Sequence, residues 1–182
     1  HVLRASEVDQ LIMPAWMMAE PSAVPLLRTA RREGTRISMV ASGSSVTLGS
    51  IRLDIVWPPA EDPPRYENER SLVARVLFEH GSALITADIG RPTEHVLAEK
   101  APLHSAVLVV PHHGGRGSTS SALLEATKPS IALIPAAPAN THGHPHSEVL
   151  DRLVQRKIAF RYPARDGWCG ATWDGETWVP FP

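Results

Sequence analysis

The sequence predicts a mixed α/β fold with layered sheets, on two observations. Hairpin-like strands come first and strand–helix–strand units follow. The strand signals are short apolar runs that stop at Pro, Gly or His, and the helix signals are apolar stripes introduced by serine. At 182 residues the chain has the length of one domain able to bury a core, and 43% hydrophobic with 20% charged residues is ordinary for one.

Taken in order, residues 22–33 (SAVPLLRTARRE) read as a helix with Ser22 as N-cap and Gly34 just past its end. RISMV and IRLDIVW follow as strands, with Gly49 in the turn before the second. PPAEDPPRYENE is proline-rich and reads as a loop. In SLVARVLFE, Leu72, Ala74, Val76 and Phe78 alternate onto one face, and Gly81 turns the chain back into ALITADI as a hairpin. A helix over 92–100 leads to the strand SAVLVV. SSALLEAT is then a short helix and SIALIPA a buried strand. SEVLDRLVQRK is a helix capped by Ser147, with Val149, Leu150, Leu153 and Val154 as its apolar stripe, and IAFRYP follows as a strand. WCGATWDGETW reads as short strands joined at Asp174-Gly175, with Trp168, Trp173 and Trp178 packed in them.

No apolar run is long enough to span a membrane, and no basic-then-apolar signal segment opens the chain. The first residue is not Met, so the chain is expected to be a processed or excised piece. Cys169 is the only cysteine, which excludes disulfides within the chain. A net charge of −1 gives no footprint of a general nucleic-acid binder, although a local basic patch would suffice for a nuclease. The G-x-S-x-G, G-x-x-x-x-G-K-[ST] and G-x-G-x-x-G patterns are absent, and Cys169 has no base beside it.

The chemistry-bearing residues cluster. Five of the nine histidines, His112, His113, His142, His144 and His146, lie on two loops that follow strands, and each loop runs into a helix. Asp88 ends its strand in the same way. Loops at the carboxyl ends of strands share one edge of an α/β sheet, and carboxylate plus imidazole is a ligand set for zinc, manganese or iron. After His113, the segment GGRGS (Gly114, Arg116 and Ser118 among it) would let a phosphate approach the backbone. Singly, each feature has an ordinary alternative: Asp88 as a turn former, HH as a surface pair, HGHPH as a solvated loop. His1, His80, His95 and His104 read as structural or exposed.

NERSLVARVLFEHGSALITADI, AVLVVPHHGGRGSTSSALLEATKPSIALI and NTHGHPHSEVLDRLV, in this order from about Trp57 to Asp166, resemble the C-terminal domain of the ComEC competence proteins. The resemblance implies a metallo-β-lactamase-like αββα sandwich, residues 1–182 being a single domain truncated at its N-terminus. It implies Asp88 and His144 as metal ligands and His112 and His113 as catalytic groups against metal and substrate. Asn68, Ser71, Gly114, Arg116 and Ser118 become substrate contacts. The implied cofactor is zinc or manganese, two ions in the complete domain. The implied reaction is phosphodiester hydrolysis that degrades one DNA strand during import. Single-stranded DNA, upstream membrane-channel and N-terminal segments of the same protein, and further copies of the truncated chain are the implied partners. The domain would stand outside the lipid on an inner-membrane protein, on the extracytoplasmic face. Two alternatives stay open: a stand-alone hydrolase of a small phosphoester or ester, cytoplasmic in that case, and a non-catalytic DNA-guiding domain.

Three departures accompany the resemblance. Ala87 replaces the glycine before the aspartate, and Gly90 stands where some relatives have an acid. The H-x-H-x-D-H motif of the fold is absent and is expected upstream of His1. With Asp88, His144 and Asn68 as its only ligands, the chain alone is expected to hold no metal tightly.

Overall fold

The alternation in VARVLF gives one strand two faces, and each face meets a different layer. The computed structural model describes residues 2–61 and 64–181, so the reading of His1 lies outside the described residues. Val73 turns toward a core of helices, whereas Ala74 packs with Val40 and Ile55 on the opposite side. This strand, β5 (Val73–Phe78), pairs antiparallel with β6 (Gly81–Ile85) and with β4 (Ile51–Trp57), which pairs with β3 (Ser45–Leu48). From β6 the sheet turns parallel through β7 (Val107–Val109), β8 (Ile131–Leu133) and β9 (Ala159–Arg161), giving seven strands in the order β3-β4-β5-β6-β7-β8-β9.

Each parallel step is bridged by a helix: α3 (Arg91–Lys100), α4 (Ser121–Thr127) and α5 (Ser147–Gln155). Register places Leu84, Leu108 and Ala132 side by side, and Leu97, Leu123, Leu124, Val149 and Leu153 from the three helices close over them in one core. Truncating one such leucine to alanine would cost about 2–5 kcal/mol.

The other face carries two smaller sheets. β1 (Gln10–Pro14) and β2 (Arg36–Val40) pair in parallel and set Ile12 and Val40 against Ile55 and Ala74. Met13, on the outer side of β1, meets Ala23 and Leu27, and Leu27 belongs to α2 (Val24–Arg32), so this helix forms the outermost layer. β10 (Gly170–Trp173) and β11 (Trp178–Phe181) form an antiparallel pair that lies against β8 and β9. Trp178 donates from Nε1 to the His80 carbonyl (2.9 Å) and packs at a tilt against Phe78, while a Cβ on Gly81 would stand 3.0 Å from it. The layers are helix, small sheets, large sheet, helices: an αββα arrangement whose second sheet consists of two separate pairs among the described residues. Short helical turns lie at α1 (Val2–Ala5) and α6 (Pro163–Asp166), and no described helix is long and apolar enough to cross a membrane.

Several elements differ from the sequence reading. Ser22 is not an N-cap, because Pro21 opens a 3-10 turn and α2 starts at Val24 after an uncapped Ala23. Ser147 is the first residue of α5 and His146 takes the cap position, without a side-chain cap bond. In that helix Val149 and Leu153 are buried but Val154 is 62% exposed. Trp173 and Trp178 pack edge to face, whereas Trp168 lies outside the strands and is 82% exposed. Strands β1 and β3 have no counterpart in that reading.

Candidate active site

Three parallel strands deliver the residues of interest to one edge. β6 runs into Thr86-Ala87-Asp88, β7 into Pro111-His112-His113-Gly114, and β8 into the loop carrying His142, His144 and His146 to α5. Six described non-glycine residues have positive φ. Lys128 and Lys157 lie just past helix ends, but Ala87 (50°), His112 (51°), His113 (54°) and Thr119 (57°) all belong to the first two loops. This backbone region costs a non-glycine residue roughly 1–2 kcal/mol. Its concentration at one edge means that surrounding contacts impose it.

Those contacts are explicit. His112 N donates to the Ala87 carbonyl (2.9 Å), tying the histidine turn to the aspartate strand. Asp88 N donates to Ser71 Oγ (3.3 Å), so this serine touches the backbone of Asp88. Ser118 is buried, and its hydroxyl lies within hydrogen-bond distance of the Pro111 (2.9 Å) and Gly115 (2.8 Å) carbonyls. Gly114, at φ 78°, joins the two histidine loops: a Cβ would stand 2.7 Å from Pro145 Cβ, and its carbonyl accepts from His146 N (3.0 Å).

Four supporting residues went unseen in the sequence. Asn140 closes the second loop, accepting from His144 N (2.7 Å) and donating to the His144 carbonyl (2.8 Å). An asparagine bonding the backbone of its own turn is common, so the signal was present in NTHGH. Glu94 is fully buried on α3, and its carboxylate accepts from Thr119 N and Ser120 N, each at 2.6 Å. Arg152 donates to the Ser118 (2.8 Å) and Thr119 (2.9 Å) carbonyls from the other side. Glu69 accepts from Gly90 N (3.2 Å) and from the Thr93 hydroxyl, so a carboxylate occupies the space beside Gly90 although position 90 carries none. A Cβ on Gly90 would lie 2.6 Å from Glu69 Oε1.

Asp88, His112, His113 and His144 converge. The His144 ring centre lies 5.8 Å from that of His112, 6.2 Å from His113, 5.6 Å from His142 and 5.2 Å from His146. His113 Nε2 stands 3.5 Å from Asp88 Oδ1. His113 Nδ1 lies 2.8 Å from the Pro135 carbonyl. A carbonyl only accepts, so Nδ1 carries the hydrogen and Nε2 of the neutral ring turns a lone pair toward the carboxylate. Asn68 Nδ2 approaches His112 Nδ1 at 3.4 Å, and with the amide donating, the hydrogen of neutral His112 would sit on Nε2. In that case the adjacent imidazoles hold opposite tautomers. Burial, and then the charges of His146, His112, His142 and His113, hold the His144 pKa below its ordinary value and favour the neutral ring. Burial likewise pushes the Cys169 thiol up, away from thiolate chemistry.

A cleft of about 400 Å³ opens on this edge, lined by Asn68, Asp88, Arg91, His112, Arg116 and His144 among others. Of the residues read from sequence, Asn68, Asp88, His112, Arg116, Ser118 and His144 line it, whereas Ser71, His113 and Gly114 stand behind or beside it. Asp88 and His113 offer two metal-donor groups side by side, of the right types. No third joins them: among the described residues, no three His, Cys, Asp or Glu side chains are arranged to hold a metal ion. The described residues do not by themselves fit a complete metal centre.

No family model matches the chain. It is 30% identical over 158 residues to ComE operon protein 3 of Bacillus subtilis, covering 86% of this chain and 20% of that protein. Competence protein ComA of Neisseria gonorrhoeae is 34% identical over 97 residues (52% of this chain, 14% of ComA). Recombination protein 2 of Haemophilus influenzae is 34% identical over 103 residues (57% of this chain, 13% of that protein). The chain thus spans a fifth or less of the length of these relatives. Among solved structures, a Parabacteroides distasonis protein named as a metal-dependent hydrolase superposes with a TM-score of 0.53 at 11% identity, over 90% of this chain and 80% of that one. CmlA, a diiron β-hydroxylase of Streptomyces venezuelae, gives 0.50 at 17% identity over 74% of this chain and 35% of CmlA. The chain is homologous to the ComEC competence proteins over most of its length and carries the metallo-β-lactamase-type hydrolase fold.

Proposed function

We propose that this chain is the phosphodiester-hydrolysing domain of a ComEC-like DNA-uptake protein, degrading one strand of DNA during import. The observation that carries this reading is a cleft lined by Asp88, His112, Arg91 and Arg116, with His113 standing 3.5 Å from Asp88 at its side. Arg91 and Arg116 would neutralise the phosphoryl oxygens. His112 Nε2–H would donate to the departing oxygen. The free Nε2 of His113, next to the Asp88 carboxylate, would take the proton of the attacking water. Asn68 sets the His112 tautomer; Gly114 and Ser118 hold the turn, and Ser71 holds Asp88.

A divalent metal, zinc or manganese, would lower the pKa of a bound water and polarise the phosphoryl group. Asp88 and His144 are its proposed ligands in this chain, and an upstream H-x-H-x-D-H segment would supply the others. By the same reading the domain stands on the extracytoplasmic face of the inner membrane, against the channel segments of its own protein, with single-stranded DNA as its substrate.

The test is cleavage of a labelled single-stranded oligonucleotide, with manganese or zinc, by the full-length gene product and by the 182-residue chain. The full-length protein should cleave, the chain alone should not, and Asp88→Ala should lower cleavage by about 100-fold or more. Cleavage untouched by Asp88→Ala would place the chemistry elsewhere. Tight DNA binding without cleavage in the full-length protein would make this a DNA-guiding domain.

A further inference from the structure

Beside the candidate cleft lies a second cavity, of about 260 Å³, lined by Arg91, His95, Ser120, Ser121, Ala122 and Arg152. Arg91 is common to both, so the two cavities adjoin at the start of α3. The lining contains two guanidiniums, an imidazole and two hydroxyls, and no carboxylate. On a chain with 18 basic and 19 acidic residues, that composition is a local feature.

Neither guanidinium meets a carboxylate within the cavity itself. Arg152 spends its bonds on the neutral carbonyls of Ser118 and Thr119, which fix its head without cancelling its charge. The carboxylate of Glu94 is fully buried, with both oxygens accepting from backbone N–H groups. Glu148 pairs with Arg116 instead (3.1 Å). Burial lowers the Arg152 pKa first and the charge of Arg91 next, while the carboxylates of Glu94 and Glu148 act the other way, so the two guanidiniums feel each other within a partly balanced field. Like charges held together in a fixed, hydroxyl-lined hollow favour an anion between them.

We propose that this cavity is a subsite for the backbone phosphates of a single-stranded nucleic acid, which crosses Arg91 from one cavity into the other. The proposal rests on the reading of the first cleft as a phosphodiesterase site. The shared Arg91 decides for a strand over a lone phosphate: one small anion fills one cavity, while a chain of phosphates engages both at once. His95, a surface residue by its sequence context, then faces the strand.

Ser121 provides the test, because it is exposed and is the first residue of α4, where a carboxylate suits the helix dipole. Ser121→Glu should therefore fold, and Ser121→Gln controls for bulk. Binding of a labelled single-stranded oligonucleotide of about twelve nucleotides is read by fluorescence anisotropy without added metal, across a salt series. Ser121→Glu should weaken binding about tenfold and flatten the salt dependence by about 0.7 in log–log slope per lost phosphate contact. Ser121→Gln should stay within about twofold of the parent. Equal affinities for the Glu and Gln variants, or no binding by the parent protein, would overturn the subsite. Because binding is read without turnover, failure of the subsite and failure of the hydrolase reading are separate results: the former shows in Ser121→Glu, the latter in Asp88→Ala.

Discussion

His113 Nε2 faces Asp88 Oδ1 at 3.5 Å while its other ring nitrogen is bonded to the Pro135 carbonyl. In the neutral ring, two acceptors thus look at each other across a gap, an arrangement that a proton or a cation stabilises. Both side chains are about half exposed, so water reaches the gap and discounts any Coulomb energy between them.

The first prediction concerns that gap. In Asp88→Asn the amide would donate to His113 Nε2, giving a satisfied hydrogen bond where two acceptors stood. Thermal stability should stay within about 0.5 kcal/mol of the parent, since the site is not buried. Affinity of the full-length protein for manganese or zinc, followed by calorimetric titration, should fall by about 100-fold. Unchanged affinity would show that Asp88 is not a ligand.

Glu94 is the second. Its buried carboxylate holds two N–H groups at the start of α4, and replacing one oxygen by an NH2 sets donor against donor. Glu94→Gln should destabilise the protein by about 1–3 kcal/mol in urea unfolding. It should also loosen the loop of His112 and His113, read as faster hydrogen exchange over 111–120. A neutral result would mean that Arg152 alone secures this loop.

Ala87 yields a third prediction. The resemblance expects glycine at this position, and at φ 50° the reason is steric. Ala87→Gly relieves the left-handed strain but adds freedom to the unfolded chain, leaving a net gain of about 0.5–1 kcal/mol. Differential scanning calorimetry should show a rise of a few degrees. A lower melting temperature would show that the methyl group contributes packing that outweighs its strain.

The pH dependence follows from His144. Its folded pKa lies below the ordinary 6.5, so between the two values the unfolded chain binds the extra proton. By linkage, the stabilising contribution is complete above the ordinary value and declines as pH falls through it toward the folded pKa. In the metal-free protein, His144 should titrate by NMR below the ordinary histidine value. His144→Ala should remove both this acid sensitivity and turnover in the full-length protein, whereas His146→Ala should be mild. Equal losses from the two substitutions would contradict the assignment of His144.

What the sequence made legible follows from local rules. Apolar runs that stop at Pro111 or Asp88 carry their own boundaries, and parallel strands place such ends on one edge, so the convergence of Asp88, His112 and His144 was readable. The exchange of roles at helix starts was not, because Pro21 and His146 compete with Ser22 and Ser147 through backbone geometry that composition does not encode. β1 and β3 are short, and each is defined by a partner strand distant in sequence or at a sheet edge. Glu94 escaped notice for a similar reason. A glutamate in the first turn of a helix reads as surface, and the N–H groups that bury it lie 25 and 26 residues further on.

The last prediction comes from the face between the two small sheets. β1 and β2 cover β4 and β5, and β10 and β11 cover β8 and β9. Ile85 lies between them on the same face, with Val109 and Leu133 beside it in register, and is 41% exposed. A strip of apolar sheet flanked by strands with unpaired edges favours pairing with another chain. The 182-residue chain should therefore self-associate, with its weight-average mass rising with concentration in sedimentation equilibrium. Ile85→Lys places a charge on this strip at little cost to the fold, because the side chain already reaches solvent, and should return the chain toward monomer. If Ile85→Lys sediments like the parent, the association surface lies elsewhere, and the outer edge of the large sheet, with Leu48 (45% exposed) and Ile51 (38% exposed), becomes the next place to put a lysine.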